Sequence, residues 1–381
     1  MKALEYAKRL VEFDSVSRKS NVAVTEYVQA VLQETGFETE RIDYDDEHGI
    51  RKACVVGRKG PAEGIGTPGL AYFGHTDVVP ANPWYFADHG PFTPTVKDDR
   101  LYGRGSCDMK GSVACMLAAA STVDPEKVKG PVFITCTADE EIGYGGARLV
   151  AQRSRIFREM VSRQTPGIIG EPTKLEVVHA HKGTYGFIAT SRGRAAHSST
   201  NRGLNANLAM IPFLVEMKAI YDELESDPKW RDPAFDPPTM SWNIGINDHT
   251  AAVNITPPQS ICTVYFRPMP GQDADGLIAR AKAAADRCGL EFAQAPGGPS
   301  LWVDPEAPFV QQTLKLAGRD KARTVPYGTD GVMLNELKNL VVLGPGDIAQ
   351  AHTHDEWIAL EQLDLGTKLY ARMIEHFCRG K

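Results

Sequence analysis

Short apolar segments bounded by glycine alternate with helical stretches in both terminal parts of this 381-residue chain. Segments with the length and composition of buried strands cover 69–74, 132–136 and 339–343. Helical composition or spacing covers 111–122, 146–160 and 308–316. Because strands that alternate with helices favour a parallel sheet covered on both faces, we predict an α/β fold with a mostly parallel sheet.

The middle of the chain has a different pattern. Two strand-like segments are each followed by a helical one, at 184–190, 205–224, 260–266 and 273–287. Two alternations of this size are typical of a compact α+β domain. Strand signals like those of the first part then resume, so we predict a smaller domain at 182–293, inserted into a larger one formed by 1–181 and 294–381. The proline-rich stretch 227–238 is predicted to be a surface loop of the inserted domain.

Charge and composition exclude several classes of partner. The formal net charge of -6 gives no basic surface for nucleic acid, and we expect none as a partner. The longest apolar stretches, such as 113–120, are too short to cross a bilayer, and no export signal is visible. Seven cysteines, an odd number without a CxxC pair, are typical of buried thiols in a reducing cytoplasm.

Side chains that bind divalent cations recur at the ends of the predicted elements: His75, Asp108, Glu141, Glu171 and His352. Carboxylate oxygen and imidazole nitrogen are ligands of zinc and similar ions, and a bridging carboxylate can hold two ions together. Asp77 lies two residues after His75, where it can orient the imidazole. Open α/β sheets place their sites at strand ends, so the set predicts a two-metal hydrolase.

Each of these residues, taken singly, also has a simpler explanation. The simpler roles are a helix N-cap for Asp108, a solvated surface pair for Glu140 and Glu141, a turn residue for Glu171 and a surface-loop histidine for His352, with His354 as its rival ligand. At a strand end, two adjacent glutamates can instead have different roles. One can face a cation while the other holds a water for proton transfer.

Several segments together resemble the motifs of the M20 family of metallopeptidases: GHTDVVP (74–80), LYGRGSCDMKG (101–111), DEEIG (139–143), GEPT (170–173) and AHTHDE (351–356). The motifs follow the family's order over nearly the whole chain. The resemblance implies that Asp108 bridges two divalent ions, zinc or cobalt. It also implies that two pairs of residues complete the two ion shells, one formed by His75 and Glu171 and the other by Glu141 and His352.

The resemblance also implies roles outside the metal shell. Asp77 would be the partner of His75, and Glu140 the general base. A cis peptide would fall at Asp108-Met109. His197, in the segment GRAAHSS (193–199), resembles a histidine that stabilises the oxyanion in the family, often from a partner subunit. We therefore expect a homodimer through the inserted domain, although His197 could be a simple polar loop residue.

Substrate recognition is predicted to use Arg267, because guanidinium grips a carboxylate with two parallel hydrogen bonds. Asn254, Gly328 and Thr329 resemble the family's other substrate contacts. The simpler alternatives are a surface strand residue for Arg267 and a turn former for Asp330 in the same loop as Thr329. The expected substrate is a small N-acyl amino acid.

Within the family, Cys107, the RPMPG segment (267–271) and the AHxxDE pattern resemble acetylornithine deacetylases of arginine biosynthesis most. Succinyl-diaminopimelate desuccinylases are the nearest alternative, followed by carboxypeptidases and aminoacylases. A non-catalytic relative that only binds a metal or ligand is an alternative of a different class. The presence of all five ligands and Glu140 counts against that alternative.

Overall fold

The structure, a computed structural model, describes residues 2–61, 67–86, 88–250 and 252–379. The α-helices are α1 (Lys2–Val11), α2 (Val22–Glu34), α3 (Lys110–Ala120), α4 (Gly145–Arg153), α5 (Arg155–Ser162), α6 (Asn207–Ser226), α7 (Ala274–Arg287), α8 (Pro308–Ala317) and α9 (Leu360–Arg379). The strands are β1 (Glu38–Asp45), β2 (Arg51–Lys59), β3 (Leu70–His75), β4 (Thr95–Lys97), β5 (Arg100–Tyr102), β6 (Val132–Thr137), β7 (Gly167–Ile169), β8 (Val178–His181), β9 (Tyr185–Arg192), β10 (Ser241–Asn247), β11 (Gln259–Arg267), β12 (Glu291–Gln294), β13 (Leu301–Trp302), β14 (Arg323–Val325), β15 (Leu340–Val342) and β16 (Trp357–Ala359).

The chain forms two compact units. The first comprises Met1–Ala180, Trp302–Arg323 and Thr329–Lys381, and the second comprises His181–Leu301 and Thr324–Gly328. The second unit thus reaches further toward the C-terminus than the predicted segment 182–293. Within the described ranges, no helix combines the length and apolarity needed to cross a membrane.

The first unit is built on a mixed sheet whose central strands are parallel. Its strands follow the order β1-β2-β6-β3-β7-β15. The strands β6, β3, β7 and β15 run parallel. On one side β2 pairs antiparallel with β6, and β1 pairs antiparallel with β2; on the other side β8 pairs antiparallel with β15. The predicted α/β class with a mostly parallel sheet is therefore confirmed.

Helices cover both faces of this sheet, as two neighbouring residues of β3 demonstrate. Successive side chains of a strand point to opposite faces. Tyr72 packs edge-on against Tyr370 of α9, with ring centroids 5.6 Å apart. Phe73 packs against Phe157 of α5 at 6.4 Å. Both rings of β3 are fully buried, so the apolar run in the sequence reflects burial on two sides.

The helical stretch predicted over 146–160 is divided into two helices in the structure, α4 and α5. Ser154 adopts extended backbone angles, φ -73° and ψ 125°, between α4 and α5. Its hydroxyl accepts a hydrogen bond from the amide of Phe157 and donates one to Glu40 Oε2 at 2.7 Å. Serine is a favoured N-cap, and this local signal outweighs the continuous apolar spacing around it.

The second unit contains an antiparallel sheet in the order β10-β11-β9-β12. Its core joins the sheet to α6 and α7 through buried side chains that include Phe187, Phe213, Phe266 and Leu277. The predicted strands and helices correspond to β9, α6, β11 and α7, whereas β10 and β12 were not predicted. The proline-rich stretch is a surface loop with one 3-10 turn, Pro228–Trp230, and its side chains Trp230 and Phe235 are buried.

Candidate metal centre

The five predicted metal ligands come together in the first unit around Asp108. One carboxylate oxygen of Asp108 lies 3.2 Å from His75 Nε2, and the other lies 3.3 Å from His352 Nε2. Glu171 Oε1 lies 3.6 Å from the same nitrogen of His75, and Glu141 Oε2 lies 3.2 Å from that of His352. Asp108 therefore presents one oxygen to each of two histidine and glutamate pairs.

The sheet brings three of these ligands to one edge. His75 is the last residue of β3, Glu141 follows the end of β6, and Glu171 follows the end of β7. Because β3 pairs in parallel with both β6 and β7, the carboxyl ends of the three strands meet. His352 enters from a loop, with φ of 63°. Ligand atoms of His75, Asp108 and Glu141 all lie within 4.8 Å of one another.

Asp108 is not the N-cap of the neighbouring helix. Met109 occupies the N-cap position of α3, and no side chain caps that helix. The peptide bond between Asp108 and Met109 is cis, as the family resemblance implied. The carboxylate of Asp108 is therefore free to face the two histidines.

Glu356 holds the loop that presents Asp108. Its carboxylate accepts hydrogen bonds from the amides of Cys107 and Asp108, at 2.8 and 2.9 Å, and from the amide of Gly105 at 2.9 Å. The guanidinium of Arg104 donates to the same carboxylate at 2.8 Å. Both charged side chains are almost completely buried. Sequence reasoning missed this role, although both residues lie inside the family-like motifs.

Asp77 contacts His75 mainly through its main chain. The Asp77 carbonyl oxygen lies 2.9 Å from His75 Nδ1, whereas the nearest carboxylate oxygen lies 3.7 Å away. A carbonyl accepts only, so His75 Nδ1 carries the proton in this contact and Nε2 is available as a ligand. The carboxylate instead accepts the amides of Glu140 and Glu141, at 3.3 and 3.4 Å.

The cluster concentrates negative charge away from water. Burial raises the pKa of the Glu140 and Glu171 carboxyls well above the usual range, and neighbouring carboxylates raise it further. Burial opposes charge on His75, but the hydrogen bond to Asp108 and the charge of Glu171 raise the pKa of His75 well above its ordinary value. Divalent cations would supply the positive charge that this cluster lacks. Its oxygen and imidazole donors fit zinc or cobalt.

Asp330 lies behind the site rather than in a surface turn. Its Oδ2 accepts a hydrogen bond of 2.6 Å from Thr137 Oγ1, at the end of β6. Burial raises the pKa of Asp330 to about 6. The neighbouring Thr329 is also buried, and its hydroxyl accepts the amide of Gly331 at 3.1 Å. The plain turn role considered for Asp330 does not describe this buried position.

The remaining predicted residues belong to the second unit. His197 is exposed, and its Nδ1 lies 2.8 Å from Ser199 Oγ. Arg267 ends β11, is partly buried, and donates to Thr184 Oγ1 at 3.3 Å. Asn254 is exposed, and Gly328 closes the short segment 324–328. Their roles toward a substrate stay predictions.

Residues 71–376 match peptidase family M20/M25/M40. Over 98% of its length the chain is 33% identical to an acetylornithine deacetylase of Myxococcus xanthus, of which the alignment covers 96%. It is 34% identical to an acetylornithine deacetylase of Pasteurella multocida, over 95% of this chain and 93% of that protein.

Solved structures show the same fold. The M20 family metallo-carboxypeptidase Sso-CP2 from Sulfolobus solfataricus aligns with a TM-score of 0.77 and 16% identity, over 99% of both chains. The Bacillus subtilis YXEP protein, a dinuclear metal binding peptidase from the M20 family, aligns with a TM-score of 0.62 and 16% identity, over 98% of this chain and 96% of that one. The resemblance predicted from the motifs is confirmed: the chain belongs to peptidase family M20/M25/M40, a family of amide-bond hydrolases.

Proposed function

We propose that this protein is a two-metal amidohydrolase that removes the acyl group from an N-acyl amino acid, with N-acetylornithine as its substrate. The observation that carries the proposal is the arrangement of two histidine and glutamate pairs on either side of Asp108. The deacetylase relatives, similar over nearly the whole chain, support the choice of acetylornithine.

The proposed cofactors are two divalent ions, zinc or alternatively cobalt. His75 and Glu171 would hold one ion, Glu141 and His352 would hold the other, and Asp108 would bridge them. When bound, such ions polarise an amide carbonyl and lower the pKa of water.

Glu140 is the proposed general base. Its main-chain amide is held by Asp77, so the position of the residue is fixed beside the ligand Glu141. Burial raises the pKa of the Glu140 carboxyl, and a carboxylate with increased proton affinity suits proton transfer near neutral pH. Glu140 would take a proton from the attacking water and deliver it to the leaving amine.

Residues of the second unit are proposed to recognise the substrate. Arg267 would grip the substrate carboxylate, and Asn254, Gly328 and the first unit's Thr329 would add further contacts. His197 would donate a hydrogen bond to the oxyanion that develops on the substrate carbonyl. An exposed imidazole whose Nδ1 lies 2.8 Å from Ser199 Oγ is consistent with this role.

We also propose a homodimer formed through the second unit. Leu208, Ile211 and Val215 lie on one side of α6, and their exposed fractions are 67%, 54% and 65%. Ile246, on the edge strand β10, is 63% exposed. A contiguous apolar patch of this kind is typical of a protein interface. The seven unpaired cysteines support a cytoplasmic location.

A substrate panel tests the proposed function. The purified protein, loaded with zinc or cobalt, is assayed with N-acetylornithine, N-succinyl-diaminopimelate and simple N-acetyl amino acids. We expect the highest kcat/KM with N-acetylornithine. A preference for the succinyl compound would identify a desuccinylase, because a few contacts outside the metal shell decide between these substrates. Binding of two metal equivalents without any hydrolysis would favour the non-catalytic alternative.

A further inference from the structure

A fully buried lysine lies beside the turn that carries Glu140 and Glu141. Lys52, on β2, has no exposed surface. Its ammonium donates to Asp139 Oδ1 at 2.7 Å, to the carbonyl of Lys19 at 2.9 Å and to the carbonyl of Ser17. An ammonium has three donors, so every donor of Lys52 has a defined partner.

Asp139 begins the turn after β6 with a left-handed backbone conformation, φ 58°. Its second carboxylate oxygen accepts a hydrogen bond of 2.8 Å from the hydroxyl of Tyr44. Tyr44 and Lys52 face each other across β1 and β2 in the sheet register. Side chains of β1 and β2, at the edge of the sheet, therefore donate hydrogen bonds to both carboxylate oxygens of Asp139. This residue immediately precedes Glu140 in the sequence.

Ser17 connects the same lysine to the other side of this turn. The Ser17 hydroxyl donates to Asp77 Oδ2 at 2.7 Å. The Asp77 carboxylate in turn accepts the amides of Glu140 and Glu141. Hydrogen bonds and chain connections thus form a closed ring that runs from Lys52 through Asp139, the turn, Asp77 and Ser17 back to Lys52.

We propose that Lys52 is a positioning residue, which fixes the turn of Glu140 and Glu141 through Asp139 on one side and through Ser17 and Asp77 on the other. The proposal rests on the proposed function in that Glu141 is taken as a metal ligand and Glu140 as the base. Lys52 touches neither of them directly. Removing its ammonium would take away the hydrogen bond to Asp139 Oδ1, would leave the one from Tyr44 to Oδ2, and would free the main chain at Ser17.

The first experiment compares Lys52→Met with a matched control, Lys59→Met. Lys59 lies on the same strand and is also nearly buried, but its ammonium sits over the ring of Phe37, 5.7 Å from the centroid. Cobalt titration, followed by visible absorption, measures the affinity of each equivalent without any substrate. We expect Lys52→Met to weaken one equivalent about 10- to 100-fold, as loss of a group that orients metal ligands does.

Turnover gives the second readout. We expect kcat of Lys52→Met to fall about 10- to 100-fold with KM within about threefold, because the geometry of the base changes and substrate contacts do not. Lys52→Arg keeps a cation and should recover part of both losses. Lys59→Met should change thermal stability and leave both readouts near wild type. Equal losses in Lys52→Met and Lys59→Met, or wild-type cobalt binding in Lys52→Met, would overturn the proposal.

Ser17→Ala covers the case in which Lys52→Met does not fold. This variant opens the ring at Asp77 and leaves Lys52 paired with Asp139. We expect a loss of cobalt affinity and kcat in the same direction, and unchanged values would overturn the proposal. The cobalt measurement needs no substrate, so it tests the role of Lys52 even if the panel shows that the substrate is not an N-acyl amino acid.

Discussion

The two halves of the proposed metal centre differ in their exposure. The enclosed half, defined as His75 and Glu171, has side chains that are 1% and 7% exposed. The open half, defined as Glu141 and His352, contains an imidazole that is 54% exposed. Asp108 contributes one oxygen to each half.

The difference lies in how the chain delivers the two histidines, because Glu141, like Glu171, follows a parallel neighbour of β3 and its side chain is 9% exposed. His75 ends one central strand and Glu171 follows its parallel neighbour, so the sheet itself fixes both. His352 comes from a loop, with the backbone in the left-handed region. A site with one rigid and one accessible position can hold one ion firmly while the other position admits substrate. The contrast therefore suggests different tasks for the two ions.

Glu140→Ala tests whether turnover can be lost while both halves of the centre still bind metal. Glu140 belongs to neither half, so we expect the variant to keep two metal equivalents. Turnover should fall about 10²- to 10⁴-fold, the usual contribution of a positioned general base. Metal analysis and steady-state kinetics measure the two quantities on the same sample. Full activity in this variant would remove Glu140 from its proposed role.

His75→Ala and His352→Ala compare the halves directly. In the metal-free protein, His75→Ala leaves buried Glu171 without its imidazole partner and removes one of the two imidazoles that contact Asp108, which should cost about 1–3 kcal/mol of unfolding free energy. His352→Ala removes a half-exposed imidazole whose ion pairs with Asp108 and Glu141 are partly screened by water, so it should cost less than His75→Ala, about 1 kcal/mol. Urea unfolding of the two variants against wild type measures the difference. Equal costs would show that the open half is as tightly integrated as the enclosed one.

The pH dependence of metal binding tests whether His352, in the open half, is protonated in the metal-free protein. Hydrogen bonds to Asp108 and Glu141 raise the pKa of His352 to about 10 in the metal-free protein. The imidazole is therefore protonated at neutral pH and must lose its proton before an ion can bind. Affinity for the ion of this half should rise about tenfold per pH unit between about pH 6.5 and 9, since one proton is released.

Metal titrations at several pH values measure this slope. His352→Gln serves as the control, because its side chain does not titrate. We expect the variant to bind the ion of the open half more weakly and with a smaller dependence on pH. A wild-type affinity that stays constant over the same range would contradict protonation of His352 in the metal-free protein.

Local sequence patterns were sufficient for three buried strands of the sheet in the first unit. The strands β3, β6 and β15 are apolar on both faces, so an uninterrupted apolar run predicted each of them. The pattern failed where local signals competed, as at Ser154, whose capping hydroxyl splits a continuous helical spacing. It also failed for β2, where Lys52, Gly57 and Arg58 interrupt the apolar residues.

The supporting residues of the site were not visible in the sequence. Glu356 binds amides about 250 positions earlier in the chain, and Lys52 pairs with Asp139 across 87 positions. No periodic pattern in the sequence reveals such pairs, because the two residues come together only when the sheet and the loops fold. From the sequence alone, a lysine in a strand is expected to be an exposed edge residue, because lysine is rarely buried.

The order and chemical type of the residues at the ends of the predicted elements determined the fold class, the family and the predicted set of metal ligands. These properties depend on local burial and on the ligand chemistry of single side chains, which a sequence records directly. Only the tertiary structure decided that one half of the centre is enclosed and the other open, and that Lys52, Asp77 and Glu356 hold the ligand loops. Solvent exposure and hydrogen bonds between distant residues arise from packing, which the linear order of residues does not specify.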